Sequence, residues 1–146
     1  MKIRPIVKND IAFLSSVRGE FSDAWNENML SSAFNAGNFY GFIAEETVNN
    51  TIAPVGFLTY SFNALFADLE DLFVVKDYRK KGVGKALVAE FIAETTRRGA
   101  KKLFLEVRES NLSAKNLYLS AGFKGISVRK KYYSDGENAL VLIKEL

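Results

Sequence analysis

A basic, glycine-containing segment has the residue types and spacing that most clearly favour chemistry in this sequence. It follows an apolar run, precedes an amphipathic stretch, and consists of Arg79, Lys80, Lys81, Gly82, Val83, Gly84, Lys85 and Ala86. If the amphipathic stretch is a helix, its first backbone N–H groups lack intrahelical partners and carry partial positive charge. The glycines let a ligand approach the backbone closely, and the basic side chains add cations. This arrangement predicts an anion site suited to a diphosphate.

Two common phosphate-binding motifs do not fit this segment. The P-loop pattern GxxxxGK[ST] fails because residue 79 is arginine and residue 86 is alanine. The dinucleotide pattern GxGxxG fails because Leu87 stands at its last glycine position. What remains is Arg79-x-x-Gly82-x-Gly84, a pattern that a plain basic turn at a helix start also satisfies. The apolar run before it and the amphipathic stretch after it favour the ligand site.

The composition narrows the reactive groups that are available. The chain of 146 residues contains no cysteine and no histidine. Disulfides, thiol nucleophiles, Ser-His-Asp hydrolysis and histidine-based metal sites are therefore excluded. Carboxylates, tyrosines, lysines, hydroxyls and backbone amides must carry any chemistry. The net charge of +3 is a mild excess, so the placement of the charges matters more than their sum.

Two glutamates are candidates for a general base. Glu106 interrupts the otherwise apolar run at 103–107, where a carboxylate is costly unless it is paired or used. The second carboxylate, Glu70, lies in the apolar segment at 67–75. The alternative for either residue is a solvent-facing or salt-bridged carboxylate, and Arg108 or Lys102 would then be the partner of Glu106.

The elements that must position these residues alternate between strands and helices. Strands are predicted at residues 2–6, 40–44, 54–62, 67–75 and 103–107, with two more flanking the Asp-Gly turn at 134–136. Helices are predicted from Asn9 or Asp10 to about Arg18, and at residues 27–34, 84–98 and 113–121, with Gly99 and Gly122 ending the last two. This order predicts one domain, residues 1–146, built on a mixed α/β sheet with helices on its faces.

With these elements in place, the sequence resembles the GNAT superfamily of acetyl-CoA-dependent N-acetyltransferases over essentially its whole length. Residues 79–84 are similar to the pyrophosphate-binding loop of that superfamily. A second motif reads Asn111-x-x-Ala114-x-x-Leu117-Tyr118-x-x-x-Gly122-Phe123. The resemblance implies an α/β (α+β) fold with a mixed, mostly antiparallel sheet of six to seven strands flanked by about four helices. It also implies direct attack of an amine on bound acetyl-CoA, without a metal.

A narrower resemblance is to the RimI-type enzymes, which acetylate the amino-terminal residue of a ribosomal protein. It is carried by residues 21–30, by Leu105-Glu106-Val107-Arg108-x-Ser110-Asn111 and by residues 129–139. The segment Leu69-Glu70-Asp71 departs from that pattern and is more similar to small-amine (polyamine-type) acetyltransferases. The RimI-type pattern places the base at Glu106 and the polyamine-type pattern at Glu70, so the acceptor stays open at this stage.

The superfamily resemblance implies roles for further residues. Tyr118 is the candidate general acid for the leaving thiolate, and Asn111 is the candidate contact to the CoA arm. If Asn111 caps a helix, the seven-residue spacing places both side chains on one face; an ordinary N-cap and a core tyrosine are the alternatives. Backbone N–H groups of the fourth strand are expected to stabilise the oxyanion, and its free edge to pair with the pantetheine arm if it diverges from the next strand. That strand segment comprises Leu72, Phe73, Val74 and Val75.

Aromatic residues are the candidates for the acceptor groove. They are Trp25, Tyr132 and Tyr133, with Phe21 as a weaker candidate. Ordinary core or rim packing is the alternative for each. Tyr132 and Tyr133 are expected to lie on a strand, where neighbours point to opposite faces, so that one packs and the other faces the groove.

The implied partners are acetyl-CoA and an amine acceptor such as the N-terminus of a ribosomal protein. A non-catalytic acyl-CoA-binding module is a rival function. Basic clusters at 97–98, 101–102 and 129–131 are interpreted as solvated ends of elements rather than as a nucleic-acid site. No signal segment and no run of ~18 apolar residues is visible. We therefore expect a cytoplasmic protein without a membrane partner, either a monomer or a homodimer.

Overall fold

The predicted order of strands and helices is confirmed in the computed structural model, which describes residues 1–17, 27–37 and 39–146. The helices are α1 (Ile11–Ser16), α2 (Glu27–Asn35), α3 (Val83–Arg97) and α4 (Leu112–Ser120). The strands are β1 (Lys2–Pro5), β2 (Tyr40–Val48), β3 (Thr51–Asn63), β4 (Phe66–Val74), β5 (Lys102–Arg108), β6 (Lys124–Arg129) and β7 (Ala139–Glu145). Short 3-10 turns at Lys8–Asp10 and Lys76–Tyr78 precede α1 and α3.

The described strands form a seven-stranded sheet in the order β1-β2-β3-β4-β5-β7-β6. Neighbouring strands run antiparallel except β4 and β5, which are parallel. The helix α3 lies between β4 and β5 in the chain, because a parallel pair needs a crossover connection. This mixed, mostly antiparallel sheet with its described helices confirms the architecture that the superfamily resemblance implied.

Helices cover both faces of the sheet, so the core has two parts. On one face, Leu87 and Phe91 of α3 are fully buried in a cluster with Leu58 of β3. On the other face, Leu30 of α2 packs in a cluster with Phe57. Phe57 and Leu58 are neighbours in β3, and neighbouring side chains on a strand point to opposite faces. The predicted apolar side of α3 is therefore the side that forms the larger cluster.

The first helix begins differently from the prediction. Asp10 closes the 3-10 turn, and its side chain makes no cap bond to α1. Its carboxylate instead accepts hydrogen bonds from the Val7 N–H at 2.7 Å and from the Arg4 guanidinium at 2.8 Å. Asp10 occupies the N-cap position of α1, but its side chain does not cap the helix because the Arg4 guanidinium on β1 binds the carboxylate. The helix ends at Ser16, and Arg18 lies outside the described residues.

Two strand connections differ in how their turns are built. Asn49 and Asn50 join β2 to β3, and both have positive φ, 51° and 64°, as a tight two-residue turn requires. Residues 130–138, called here the β6–β7 loop, make a longer connection in which the Gly136 N–H donates to the Tyr133 carbonyl at 2.8 Å. Tyr132 and Tyr133 lie in this loop, so the prediction that they occupy a strand is wrong. The local turn around Gly136 explains why strand pairing resumes only at Ala139.

Candidate functional site

The parallel strands β4 and β5 separate partway along their length. Their pairing covers Phe66 to Leu69 against Lys102 to Leu105. Beyond Leu69, β4 continues to Val74 beside β3, and beyond Leu105, β5 continues to Arg108 beside β7. This space is called here the β4–β5 opening. The sequence could not show whether β4 diverges from β5. In the structure the two strands do diverge, and the divergence exposes one backbone edge of β4.

The exposed edge of β4 presents alternate backbone groups. The Val75 N–H donates to the Val55 carbonyl at 2.8 Å, so it faces β3. The Val74 carbonyl accepts from Arg79 on the other side. Because the backbone groups of successive strand residues alternate in direction, the amides of Leu72 and Val74 face the opening, whereas Phe73 turns toward β3. The predicted four-residue amide set is thereby reduced, and Val75 is already engaged.

The N-terminus of α3 lies beside this edge. Gly82 has a φ of +87°, a left-handed conformation that glycine adopts without a steric penalty. The Ala86 N–H donates to the Gly82 carbonyl at 3.0 Å as the first bond of the helix. The preceding amides at 83–85 therefore have no carbonyl of a previous turn to bond. No atom lies within 4 Å of a Cβ built at Gly82, so this point of the loop faces open space.

Gly84 has a different role from the one the sequence predicted. A Cβ at this position would lie 3.2 Å from the Leu117 side chain, 3.9 Å from Val74 and 4.0 Å from Leu72. The missing side chain therefore lets α3 start close to α4 and to β4. Gly84 brings the helix N-terminus against the β4–β5 opening, and Gly82 is the glycine that faces open space.

The basic side chains of the loop divide into two groups. Arg79 donates from Nε to the Val74 carbonyl at 2.8 Å, and its guanidinium lies 5.7 Å from the centre of the Phe73 ring. It therefore ties the loop to the end of β4. Lys80, Lys81 and Lys85 are exposed, and these are the side chains available to an anion at the helix N-terminus.

Both candidate bases stand where β4 and β5 separate. Glu70 and Glu106 are the residues that follow the last paired residues, Leu69 and Leu105. Side chains in β5 alternate, with Leu105 buried in the larger cluster and Glu106 on the opposite face. The two carboxylates that the sequence could only name as rivals therefore both stand at the fork, one on each strand.

Glu106 has two unlike carboxylate oxygens. Its Oε1 lies 3.4 Å from the Arg129 Nε. Its Oε2 is buried and, among the described residues, has no hydrogen-bond partner. Arg108 and Lys102 were the predicted partners of Glu106. Arg108 instead bonds to Asp135 at 2.8 Å and to Glu137 at 2.9 Å, and in the described structure Glu106 pairs with Arg129 rather than with Lys102. A buried unpaired carboxylate oxygen is costly, which makes this atom a candidate for a functional role.

Glu70 occupies a β-bulge in β4. Thr59 pairs with Asp71 and Tyr60 with Leu69, which leaves Glu70 as the extra residue. Desolvation of its carboxyl group is the main effect that raises the pKa of Glu70, and the negative charges of Asp71 and Asp68 add to it, against a hydrogen bond from Ser61. Glu70 is nonetheless an exposed residue, so it is open to a ligand from solvent.

The helix α4 carries the second predicted motif. Asn111 is its N-cap, and its Oδ1 accepts from the Ala114 N–H at 3.1 Å. Tyr118 is 5% exposed, and its ring contacts Phe123 edge-on in the larger cluster. Burial, followed by the charges of Asp71 and Tyr133, raises the pKa of Tyr118 well above its ordinary value. Asn111 is therefore an N-cap and Tyr118 is a core tyrosine, whatever further role each residue has. The Tyr118 hydroxyl stays protonated at neutral pH.

The β6–β7 loop is tied to the end of β5. The Arg108 guanidinium lies 4.0 Å from the centre of the Tyr133 ring and binds Asp135 and Glu137. Glu137 also accepts from the Ser110 N–H at 2.8 Å. Tyr132 is 50% exposed and meets the Tyr133 ring edge-to-face at 5.1 Å. Arg108 thus holds the aromatic pair near Glu106.

Two predicted site residues fall outside the described part of the chain, and one residue beside Glu106 was not predicted. Trp25 and Phe21 lie outside the described residues. Arg129 was missed as a site residue because the sequence shows it only as part of a basic cluster. In residues 1–17, 27–37 and 39–146 no group of acidic side chains is arranged to hold a metal ion. None of the helices in this described part has the length and apolar character to span a bilayer.

Comparison with known proteins identifies relatives of this chain. Residues 11–123 match the family model described as acetyltransferase (GNAT) family. Ribosomal protein bS18-alanine N-acetyltransferase of Escherichia coli K12 is 42% identical over 79 residues, which cover 52% of this chain and 53% of that enzyme. This match therefore spans about half the length of that relative. The enzyme of the same name from Salmonella typhimurium LT2 is 30% identical over 143 residues, covering 92% of this chain and 95% of that enzyme.

Solved structures agree with this assignment. The Escherichia coli ribosomal-protein-S18-alanine N-acetyltransferase superposes with a TM-score of 0.81 at 28% identity, covering 99% of this chain and 92% of that one. Ard1 from Thermoplasma volcanium has the same fold, with a TM-score of 0.82 at 23% identity over 99% of this chain and 97% of that one. The diverging strands, the glycine-containing helix start and the family match over most of the sequence agree, and the chain belongs to the acetyltransferase (GNAT) family.

Proposed function

We propose that this chain is an acetyl-CoA-dependent N-acetyltransferase whose acceptor is a protein N-terminal α-amine, as in the RimI-type enzymes. The observation that carries the proposal is the β4–β5 opening, which has Glu106 at its fork and the N-terminus of α3 beside it. The names of the relatives support the choice of acceptor. The proposed acceptor, a ribosomal protein, also implies a cytoplasmic location.

The donor is proposed to bind with its pyrophosphate at the start of α3. Free amides at 83–85 provide the positive end of the helix, and Lys80, Lys81 and Lys85 add exposed cations. The edge amides of Leu72 and Val74 are available to the amide groups of the pantetheine arm, which would add to β4 as a peptide adds to a sheet. Asn111 is proposed to contact the same arm while it caps α4.

The incoming amine must lose a proton before it can attack, and Glu106 is the base proposed for this step. The Glu106 carboxylate takes a proton from the incoming ammonium, directly or through water, and the neutral nitrogen attacks the thioester carbonyl. The C–N bond forms, the C–S bond breaks, and CoA leaves as the thiolate, while the nitrogen loses its second proton to solvent to give the neutral amide. An α-amine has a pKa near 8 against ~10.4 for lysine, so a carboxylate base suffices more readily for an N-terminus.

Tyr118 is assigned to the leaving group, with a modified role. A thiol has a pKa of about 8.5, and the pKa of Tyr118 is raised above the ordinary tyrosine value. Full proton transfer from this hydroxyl to the thiolate is therefore unfavourable at equilibrium. We assign Tyr118 as a hydrogen-bond donor that stabilises the departing sulfur, which takes its proton from solvent.

A small-amine acceptor is the second candidate. It is favoured by Glu70, which is exposed in its bulge with Asp68 and Asp71 adding negative charge nearby. Carboxylates at this edge of the opening would attract a polycation. This candidate uses the same donor site and places the base on β4 instead of β5.

An acceptor panel tests both candidates. Purified protein and acetyl-CoA are incubated with a peptide bearing a free N-terminal alanine, the same peptide with N-terminal serine, an N-terminally blocked lysine peptide, and spermidine. We expect acetylation of the α-amine, read by mass spectrometry. Acetylation of spermidine alone supports the second candidate. Binding of acetyl-CoA without transfer to any acceptor supports the non-catalytic acyl-CoA-binding module.

A further inference from the structure

Arg129 reaches Glu106 from a strand that does not touch β5. It is the last residue of β6 and lies opposite Ala139 of β7, which in turn lies opposite Arg108 of β5. Glu106 precedes Arg108 by two residues, so both project from the same face of the strand. The Arg129 side chain therefore crosses β7 to place its Nε 3.4 Å from the Glu106 Oε1.

The surroundings of Glu106 contain other charged or titratable groups. Asp68 of β4 and Tyr133 of the β6–β7 loop both interact electrostatically with Glu106. Arg108, on the same strand, is committed to Asp135 and Glu137. In the described ranges, the ion pair that Glu106 makes is the one with Arg129. The positive charge of Arg129 thus offsets the repulsion between the Glu106 and Asp68 carboxylates.

Arg129 contacts one carboxylate oxygen of Glu106 and does not contact the other. Oε1 faces the guanidinium, whereas Oε2 is buried without a partner in the described structure. The guanidinium also lies 5.7 Å from the centre of the Tyr132 ring, a contact that supports its orientation. A carboxylate held at one oxygen has a defined direction for the other.

We propose that Arg129 is a positioning residue for the reaction, holding the Glu106 carboxylate in one orientation so that Oε2 receives the proton of the acceptor amine. This inference rests on the proposed function. The Arg129 side chain is 58% exposed, and an exposed ion pair adds little to global stability. Its removal is therefore expected to change catalysis more than folding.

The test compares Arg129→Gln, Arg129→Lys and Lys130→Gln in the full chain. Lys130→Gln is the matched control, because it removes the same charge from the next residue, which is exposed. We expect Arg129→Gln to lower kcat by roughly tenfold, as loss of an oriented proton acceptor does. KM for acetyl-CoA and the melting temperature are expected to stay at the values of Lys130→Gln. Arg129→Lys is expected to recover part of kcat, since the charge remains but the planar donor geometry is lost.

The split between kcat and KM separates positioning from a structural role, because loss of a positioning residue lowers kcat while KM for acetyl-CoA and the melting temperature stay in place. An active wild-type protein with Arg129→Gln matching Lys130→Gln in kcat overturns this inference alone, and so does a loss of kcat in Arg129→Gln that is accompanied by a lower melting temperature. A wild-type protein that acetylates nothing in the panel overturns the proposed function and this inference with it.

Discussion

The proposed donor side and the proposed acceptor side of the opening are built from different groups. The donor side consists mainly of backbone amides at the start of α3 and along β4, placed by Gly82 and Gly84, with exposed lysines and Asn111 beside them. The acceptor side consists of side chains joined by ion pairs between residues 27 and 29 positions apart in the chain. We therefore expect the donor side to be sensitive to backbone conformation, and the acceptor side to single charges.

The sharpest way to break this comparison is Glu106→Gln. The substitution keeps the shape of the side chain and removes its ability to take a proton. We expect turnover of a peptide with N-terminal alanine to fall by about 100-fold or more. The Kd for acetyl-CoA, measured by calorimetry, is expected to stay unchanged because Glu106 is not among the groups proposed to hold the donor.

Glu70→Gln is the matched control for that prediction, since it makes the same change on the other arm of the fork. We expect only a small loss of turnover with the peptide. A larger loss for Glu70→Gln than for Glu106→Gln contradicts the assignment of the base and favours the small-amine acceptor.

A second large effect is expected from Tyr118→Phe, which keeps the ring in the core and removes the hydroxyl. We expect kcat to fall roughly 10- to 100-fold, as loss of a positioned donor does, with the Kd for acetyl-CoA and the melting temperature nearly unchanged. Because the pKa of Tyr118 is raised by burial, the hydroxyl stays protonated up to at least pH ~10. The basic limb of the wild-type profile should therefore show no ionisation of this group below that pH. Unchanged turnover in Tyr118→Phe would leave the residue with a core role only.

The backbone character of the donor side is tested by Gly82→Ala against Gly99→Ala. Both glycines flank α3, have φ values of +87° and +89°, and have no atom within 4 Å of an added Cβ. Each substitution is expected to lower the free energy of unfolding by about 1–2 kcal/mol, the cost of a left-handed alanine.

Only Gly82→Ala is expected to weaken acetyl-CoA binding, by roughly fivefold if about 1 kcal/mol of strain enters the complex. Equal Kd values for the two variants would remove the loop from the donor site. Gly84 is a poorer choice for this test, because an added Cβ meets Leu117 at 3.2 Å and disturbs α4.

The smallest effect is expected from Arg108→Gln, which frees the β6–β7 loop. Ion pairs between solvent-accessible groups contribute little, so we expect KM for the peptide to rise only about threefold, with little change in KM for acetyl-CoA. Arg98→Gln is the control, since Arg98 also combines an ion pair with Glu94 at 3.0 Å and an aromatic contact with Tyr40 at 4.9 Å. Equal effects of the two variants on the peptide KM would show that the loop does not contribute to acceptor binding.

Much of the fold and the position of the loop before α3 could be predicted because the signals are local. The amphipathic α3 ends at Gly99, and the cap at Asn111 and the loop before α3 depend on neighbours within about one helical turn. The predictions that failed also came from local sequence patterns, which distant residues or a neighbouring turn overrode. Asp10 resembles a helix cap until Arg4 binds it, and Tyr132 and Tyr133 resemble strand residues until the turn around Gly136 ends the pairing.

The acceptor side shows where sequence patterns stop being informative. The residue types in the chain sufficed to exclude thiol and imidazole chemistry, to identify the loop at 79–84 and to indicate Glu106 as a candidate base, and a family resemblance added Glu70 as its rival. Strand pairing decided that both glutamates stand at the fork, and that Arg129 rather than Arg108 faces Glu106. The physical reason is the range of the interactions, since helix amides and turns form between chain neighbours. The partner of a strand carboxylate, by contrast, depends on which strands the folded sheet places side by side.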